Sequence, residues 1–532
     1  MFRRETCGVL PITFFVQVSF SSLVVAIQHQ DTAPAFESAA ASRTGPADTR
    51  IGLHCAPPIA ILGVPFDHIS MAGAVDRIEE LVASREPRYV VTANADFVAQ
   101  ARQDVELRRI LVNADLVLCD GTPLVWASRL LGNPLPERVA GSDLTPLLMK
   151  RAAEKNHRLF LLGASPEANE QAVARLRRQH PELNIVGNYS PPFKPLLEMD
   201  HGEIHRRVQD AKPDLLFVSF GCPKQEKWIA MHYRALGVPV TIGVGATIDF
   251  LAGRMKRAPR WMQRAGLEWV FRLLQEPRRL FRRYANDFRH FGAAIVAQCW
   301  QTRWRPCALK EVRPSCATVV EAGWQRIRVS ERFDVHSIRR DPIWSRISSD
   351  NRHCLVELSS TRFIDGTGVG LLVHLHKRLL CDGRHLILVS PSGPVRRLLK
   401  LMRLEECLEI ASDAVEARAI IERRNLERST QVVVNGETRP LAWRGEITAL
   451  NVEPVWEATR AQIERLGQAQ RRLSIDISDV RFIDSAGLGV MVRANKFARQ
   501  RDCELRFAGI QPGVRNVLRL SRLELLLAHD AA

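Results

Sequence analysis

The chain has 532 residues, a length for three or four domains at about 150 residues each. Its 46% hydrophobic and 25% charged residues exclude collagen-like, wholly disordered and polytopic membrane classes. With 75 Lys+Arg against 58 Asp+Glu it carries a net +17 and a pI near 9.8, which favours an anionic partner: nucleic acid, a phosphorylated substrate or acidic lipid. Its eleven cysteines are scattered without a CxxC pair, a usage that suits reduced cytosolic thiols better than disulfides or a zinc site.

Residues 1–50 form an apolar N-terminal segment and linker. Met1-Phe2-Arg3-Arg4 precedes an apolar run from Val9 to Ile27, interrupted by Pro11, Thr13, Gln17 and several serines. It reads as a poor membrane span or signal-like segment without a clean small-x-small cleavage site. Everything downstream looks cytosolic, which leaves a weak membrane anchor or a mis-chosen start codon. Residues 31–50 have linker composition.

Residues 59–300 alternate short apolar runs with helical patterns. The runs Tyr89–Thr92, Leu116–Cys119, Leu159–Leu162, Leu215–Val218 and Val240–Gly243 predict strands of a Rossmann-like, mostly parallel α/β sheet. Ligands of such sheets sit at the carboxyl ends of the strands. The polar residues there are Thr92, Asn94, Asp96, Asp120-Gly121, Gly163, Gly221 through Gln225, and Gly243-Val244-Gly245. Gly243-x-Gly245 lacks the third glycine of a dinucleotide fingerprint and reads as a tight turn. No Walker A or GxSxG sequence is present. His201 and His205 have zinc-protease spacing, but Glu203 does not follow the first histidine, so a solvated helix face is expected.

The charge is concentrated from Arg254 to Arg305, with thirteen Lys/Arg and three acids. Phe281, Tyr284, Phe288, Phe291 and Ile295 recur there at helical steps, flanked by Arg278, Arg279, Arg282, Arg283 and Arg289. Two readings stand: a helix bound to an anionic membrane surface, or a helix docked on its own domain with a solvated basic rim. No nucleic-acid motif accompanies the charge, so nucleic acid is not expected.

Several motifs carry a resemblance. Leu118-Cys-Asp-Gly-Thr-Pro-Leu-Val-Trp126, Pro136 to Leu144, Pro213 to Trp228, Gly243 to Gly253, Lys256-Arg-Ala-Pro259, Gly266 to Arg272 and Glu276 to Arg279 resemble the WecG/TagA/CpsF family of bacterial glycosyltransferases, in order and over nearly the whole domain. The resemblance implies inverting transfer of a sugar, typically N-acetylmannosamine or its uronic acid. The donor it implies is a UDP-sugar and the acceptor a polyprenyl-diphosphate-linked N-acetylglucosamine. Inverting transfer needs a base for the acceptor hydroxyl and positive charge for the departing diphosphate. Asp120, at a strand end before a glycine, is the candidate base and falls where the family's proposed base lies. Its alternative role is a helix N-cap ahead of Thr122-Pro123. By the same resemblance Thr92, Asn94, Arg138 and Gln225 line the pocket; the alternative for each is an ordinary capping or surface residue. Arg257, Arg272 and Arg279 are the candidates for diphosphate contacts. No Asp-x-Asp pair occurs between residues 59 and 305, so transfer is expected to need no metal or other cofactor. The expected location is cytoplasmic and peripheral, on the inner face of the membrane, and the family suggests self-association into a homo-oligomer.

The C-terminal half is duplicated. Arg362-Phe-Ile-Asp365 recurs as Arg481-Phe-Ile-Asp484, and the same offset of 119 residues maps Val395-Arg396 onto Val514-Arg515 and Arg403-Leu-Glu405 onto Arg522-Leu-Glu524. Both copies, at 321–424 and 439–530, resemble STAS domains, the sulfate transporter and anti-sigma factor antagonist type, which implies a small mixed α/β fold. The second copy reads Asp484-Ser-Ala-Gly-Leu-Gly489 and matches the motif whose serine is phosphorylated. This makes Ser485 the candidate phosphoacceptor and an anti-sigma or switch-kinase protein the candidate partner. A simple helix cap is its alternative role. The first copy has Gly366 in that place and a segment before its motif strand that looks shorter, so it reads as a degenerate module. The leading reading is a regulated glycosyltransferase for cell-surface polysaccharide. The alternative is a STAS-based signalling scaffold with an inactive transferase domain.

Overall fold

The computed structural model describes residues 57–523 apart from short stretches, the longest at 282–287, 305–315, 434–440 and 466–471. The candidate anchor and linker at 1–50 lie outside the described residues, as does Arg279.

The first domain opens with an antiparallel pair, β1 (Ile59–Ile61) and β2 (Val64–Phe66), followed by α1 (Met71–Ser84). Six strands then form one wholly parallel sheet: β3 (Arg88–Ala93), β4 (Leu116–Cys119), β5 (Leu159–Gly163), β6 (Ile185–Tyr189), β7 (Leu215–Ser219) and β8 (Val240–Gly243), in the order β4-β3-β8-β7-β5-β6. All five apolar runs named from the sequence are strands of this sheet. The strands alternate by twos. Tyr89, Val91, Phe160, Leu162, Leu216 and Val218 face one core, and Val90, Leu116, Leu118, Leu159, Leu161, Phe217 and Ile242 face the other. Burial on both faces is what a parallel sheet with helices on each side requires. The connecting helices are α2 (Ala95–Ala101), α3 (Val105–Asn113), α4 (Thr122–Leu130), α5 (Gly141–Lys155), α6 (Pro166–Gln179), α7 (His201–Ala211), α8 (Lys224–Leu236) and α9 (Thr247–Ala252).

The basic segment contributes α10 (Glu268–Gln275) and α11 (Ala293–Cys299). Phe291 and Ile295 belong to the core of the first domain, whereas Phe281 is exposed. The stripe therefore docks on its own domain at its C-terminal end; Tyr284 lies outside the described residues.

The first repeat holds β9 (Ala317–Glu321), β10 (Trp324–Arg328), β11 (Arg332–Phe333), α12 (Val335–Arg340), β12 (His353–Glu357), β13 (Phe363–Ile364), α13 (Gly366–Cys381), β14 (Leu386–Val389), α14 (Gly393–Leu401), β15 (Glu409–Ala411) and α15 (Ala414–Ser429). Its main sheet runs β15-β14-β12-β10-β9, with only β9 antiparallel. The second repeat holds β16 (Val432–Val433), β17 (Leu441–Ile447), α16 (Val452–Arg465), β18 (Arg472–Ile483), α17 (Ser485–Arg499), β19 (Glu504–Ala508) and α18 (Pro512–Leu520), with sheet order β16-β17-β18-β19. The 119-residue offset carries α14 onto α18, the end of β10 onto the end of β17 and the start of β12 onto the start of β18. The segment before the first motif strand is thus the same length in both copies, not shorter. What differs is its local structure. Asp341-Pro342 ends α12 after six residues, because the residue before a proline is pushed out of the helical region, while α16 runs for fourteen.

The first repeat lies directly against the opening hairpin. A side chain on Gly370 would meet the Pro58 carbonyl oxygen at 2.3 Å, and one on Gly366 would meet that of Ala60 at 2.9 Å. Beside them Asn133 Nδ2 donates to Thr367 Oγ1 at 3.0 Å, and Gln298 Nε2 donates to the Ala60 carbonyl at 3.0 Å. Gly366 therefore stands where Ser485 stands because the α13 helix approaches backbone. Gly370→Ala gains up to about 1 kcal/mol of helix propensity, but the clash is with backbone that cannot rotate away, and overpacking costs about 1–3 kcal/mol. The expected result is a lower midpoint for the first thermal transition of the full chain; an unchanged or higher midpoint would contradict the close approach.

Candidate active site

The strand order reverses between β3 and β8: β3 leads outward to β4, while β8 is reached from β7 on the other side. A crevice opens at the carboxyl ends of strands at such a point. Thr92, at the end of β3, spans it, its Oγ1 donating to the Gly243 carbonyl at 3.1 Å. Asn94 caps α2, its Oδ1 accepting from Asp96 N at 3.0 Å and Phe97 N at 3.2 Å. Its side chain lies against Gly121, where an added Cβ would be 3.6 Å from the Asn94 Cβ.

Asp120 follows β4 and is half-buried. The N-cap of α4 is Gly121, without a side-chain cap, so the Asp120 carboxylate is not spent there. Its Oδ2 instead accepts from Gly141 N at 3.2 Å, at the positive end of the fifteen-residue helix α5. Gly141 also abuts Thr92, whose Oγ1 would lie 3.1 Å from a Cβ there. Thr92, Asn94 and Asp120 are thereby brought together. The neighbouring Cys119 thiol is pushed up to about 12 by burial and then by Asp120, so it is no nucleophile at neutral pH.

Gln225 is buried at the start of α8. Its Oε1 accepts from Gly245 N at 3.1 Å and its Nε2 donates to Glu226 at 2.8 Å. It braces the turn after β8, and a Cβ on Gly243 would come within 2.4 Å of its Nε2. Arg138 donates to Glu268 at 2.6 Å and to Asp143 at 2.7 Å. Arg257 pairs with the same Asp143 at 2.7 Å and donates to Ser142 Oγ at 3.2 Å. Asp143 thus gathers two guanidinium groups at the start of α5, two residues after Gly141, and Glu268 ties α10 to Arg138. Arg272 lies on α10, and its side chain lies outside the described residues.

Asp143, Glu226 and Glu268 were not singled out from the sequence. Their only signal was position, inside the Pro136–Leu144, Pro213–Trp228 and Gly266–Arg272 motifs. The pair His201 and His205 is also placed differently from expectation. Both are half-buried in a chain with His232, at 3.0 Å from His205 Nε2 to His232 Nδ1 and 3.1 Å from His232 Nε2 to His201 Nδ1. Burial lowers all three pKa values. The rings hydrogen-bond serially and do not form a solvated face.

The doubly covered parallel sheet and the crevice define an α/β enzyme domain, followed by two small mixed α/β modules. The glycosyl transferase WecG/TagA/CpsF family matches residues 59–305, and STAS families match 325–417 and 430–528. The N-acetylglucosaminyldiphosphoundecaprenol N-acetyl-beta-D-mannosaminyltransferases of Staphylococcus aureus strains MRSA252 and MW2 are each 31% identical over 226 residues, covering 42% of this chain and 87% of the relative. An anti-sigma-factor antagonist (STAS) domain protein from Planctomyces limnophilus matches at 19% identity and a TM-score of 0.19, over 20% of this chain and 97% of its own. The chain belongs to the WecG/TagA/CpsF glycosyltransferase family and carries two STAS domains at its C-terminal end.

The Glu226 carboxyl is pushed up to about 7 by burial, with Asp96 adding to the shift against its hydrogen bonds. The folded chain holds this proton more tightly than the unfolded chain, where a Glu titrates near ~4.3. The associated stability is fully present below that unfolded value and is lost as pH rises through about 7. Glu226→Gln keeps the shape and removes the titration. Its thermal midpoint is expected to gain on that of the wild type between pH 5 and pH 8; a constant difference across that range would refute the buried acid.

Proposed function

We propose that the chain transfers N-acetylmannosamine, or its uronic acid, from a UDP-sugar to N-acetylglucosamine on a polyprenyl diphosphate, with inversion. The single observation that carries this reading is the placement of Asp120, held by an α5 backbone N–H beside Thr92 and Asn94, with Arg138 and Arg257 gathered at the same helix end. The acceptor oxygen attacks the anomeric carbon opposite the leaving group, and the bond to the diphosphate breaks with both electrons leaving on UDP. Asp120 takes the hydroxyl proton, which raises the nucleophilicity of that oxygen as the new bond forms. Arg138 and Arg257 neutralise the charge that grows on the departing diphosphate. Asp143 and Glu268 keep those arginines extended toward one place before substrate arrives. Asp-x-Asp is missing from residues 59–305, so these guanidinium groups take the part that a metal clamp of that type plays elsewhere.

The S. aureus relatives, by their names, act on an undecaprenyl-linked acceptor, and a lipid-linked acceptor requires the site to lie at a membrane surface. No helix among the described residues is long and apolar enough to cross a membrane. Trp261, Trp269, Leu274 and Phe281 of the basic segment are exposed large hydrophobics, close in sequence to the exposed Arg278. Apolar insertion with attraction to anionic headgroups suits this composition, and we assign it to peripheral attachment at the inner face of the cytoplasmic membrane. Self-association is part of the same family-based reading.

Assays of a UDP-sugar panel with a lipid-diphosphate-N-acetylglucosamine acceptor test the chemistry. Asp120→Asn is expected to lower kcat by about 10²–10⁴-fold, with a small change in KM and no loss of wild-type activity on adding chelator. Transfer by the variant at wild-type rate would remove Asp120 from the role of base. No transfer from any donor would favour a scaffold with an inactive domain. For attachment, the double change Leu274→Ser and Phe281→Ser should lower co-sedimentation with anionic vesicles several-fold; undiminished binding would place the contact elsewhere.

A further inference from the structure

The α17 turn of the second STAS domain is not open to solvent. Ser485 is 5% exposed and Glu106 of the transferase domain 6%. The Glu106 carboxylate sits across the first turn of α17: Ser485 N donates to Oε1 at 2.6 Å and Ser485 Oγ donates to Oε2 at 2.9 Å. The same Oε2 receives Lys227 Nζ at 2.8 Å, and Lys227 also pairs with Asp104 at 2.7 Å. Lys227 lies on α8, directly after Gln225 and Glu226. Asp484 caps α17, its Oδ1 accepting from Gly487 N at 2.9 Å and its Oδ2 from Ala449 N at 3.0 Å.

We infer that the transferase domain is the partner of the Ser485 turn, with Glu106 as the acid it binds, and that negative charge on Ser485 releases this contact. The charges around Oγ decide the sign. Glu106 and Asp104 come from α3, Asp484 from the cap of α17 and Lys227 from α8, so one cation faces three carboxyl groups in a buried setting. Burial and then Glu106 push the Asp484 carboxyl up to about 7, a sign that the space already resists a second anion. The hydroxyl of Ser485 is neutral and donates a hydrogen bond, the one role that lets it sit against Glu106.

A charged group at this atom loses the donated bond and adds repulsion at hydrogen-bond distance. A protein kinase that moves the terminal phosphoryl group of a nucleoside triphosphate onto Oγ, with release of the hydroxyl proton and the nucleoside diphosphate, installs about −1.5 to −2 charges. With Ser485 so little exposed, that transfer requires an opened interface, and the phosphate then prevents reclosure. An external protein that uses this turn has to displace Glu106, so docking and outside binding exclude one another.

Hydrogen exchange on the full-length chain tests this without reference to sugar transfer. Ser485→Asp should raise exchange about tenfold or more in residues 105–113 and in the first turn of α17. Ser485→Ala keeps the N–H bond to Glu106 and should change it only a few-fold. Adding Glu106→Gln to Ser485→Asp removes the facing charge and should restore much of the protection in both segments. Wild-type exchange in Ser485→Asp would overturn the inference. Loss of protection that Glu106→Gln does not restore would also overturn it, because it would mean local unfolding of the STAS domain.

Discussion

One short helix meets both STAS domains through charged side chains buried among apolar ones. In α3, Leu107, Ile110, Leu111 and Val112 are buried, and so are Glu106 and Arg108. Arg108 is 1% exposed, and such burial is tolerated only when every donor is satisfied. Its Nε donates to the Ala101 carbonyl at 2.9 Å, Nη1 to the Arg403 carbonyl at 3.0 Å and to Glu406 at 2.5 Å, and Nη2 to the Arg102 carbonyl at 3.2 Å. Two of those acceptors belong to the first STAS domain. The next residue, Arg109, donates to Glu446 of the second STAS domain at 2.9 Å and lies 3.8 Å above the Phe482 ring. Burial alone would raise the Glu446 carboxyl, but Arg109 and Arg424 outweigh it and hold it down to about 2. Removing Arg108 takes a donor from the Ala101, Arg102 and Arg403 carbonyls, and removing Arg109 leaves Glu446 to Arg424 alone, so this helix pins both STAS domains beside the apolar packing of Ala60 and Val112.

The same compensation of charge recurs at the crevice. Arg138 and Arg257 share Asp143, and Arg138 also holds Glu268 from the basic segment. A guanidinium already paired on two sides is less free to wander, so ordering it for a phosphate costs less at the moment of binding. Under the proposed function the carboxylates weaken the positive field offered to the diphosphate in return. The basic segment is therefore structural as well as electrostatic: Glu268 joins α10 to Arg138, and Phe291 and Ile295 fill the domain's core.

Much of this was legible in the sequence because it is local or periodic. The apolar runs that became β3, β4, β5, β7 and β8 were visible as uninterrupted buried strands, and the polar residues at their ends followed from the topology of parallel sheets. Asp120 could be found by position, but that its carboxylate accepts from the Gly141 amide, twenty-one residues away, could not. The repeat is plain from its offset, and so is Gly366 at the place of Ser485, whereas the segment ahead of the first motif strand looks shorter and is not. The contact of Ser485 with Glu106 spans 379 residues, and no periodicity in either segment announces it. His201 and His205 looked solvated because their partner, His232, comes from the next helix.

Gly366 and Ser485 occupy equivalent positions, and the two docking modes they permit differ in reversibility. At Gly366 the first STAS domain approaches the β1 backbone more closely than any side chain allows. That contact is made of close van der Waals packing, with the Asn133–Thr367 hydrogen bond beside it. At Ser485 the second domain meets a carboxylate through a hydroxyl, which can be altered by a single covalent event. On the inference above, the divergence at this position gives a fixed mount and a releasable one on the same transferase domain. The releasable mount reaches α8 through Lys227, the helix whose first turn carries Gln225. By the same inference, a change at Ser485 is therefore linked to the first turn of α8 through the Glu106–Lys227 pair, while the first STAS domain stays packed on the opening hairpin.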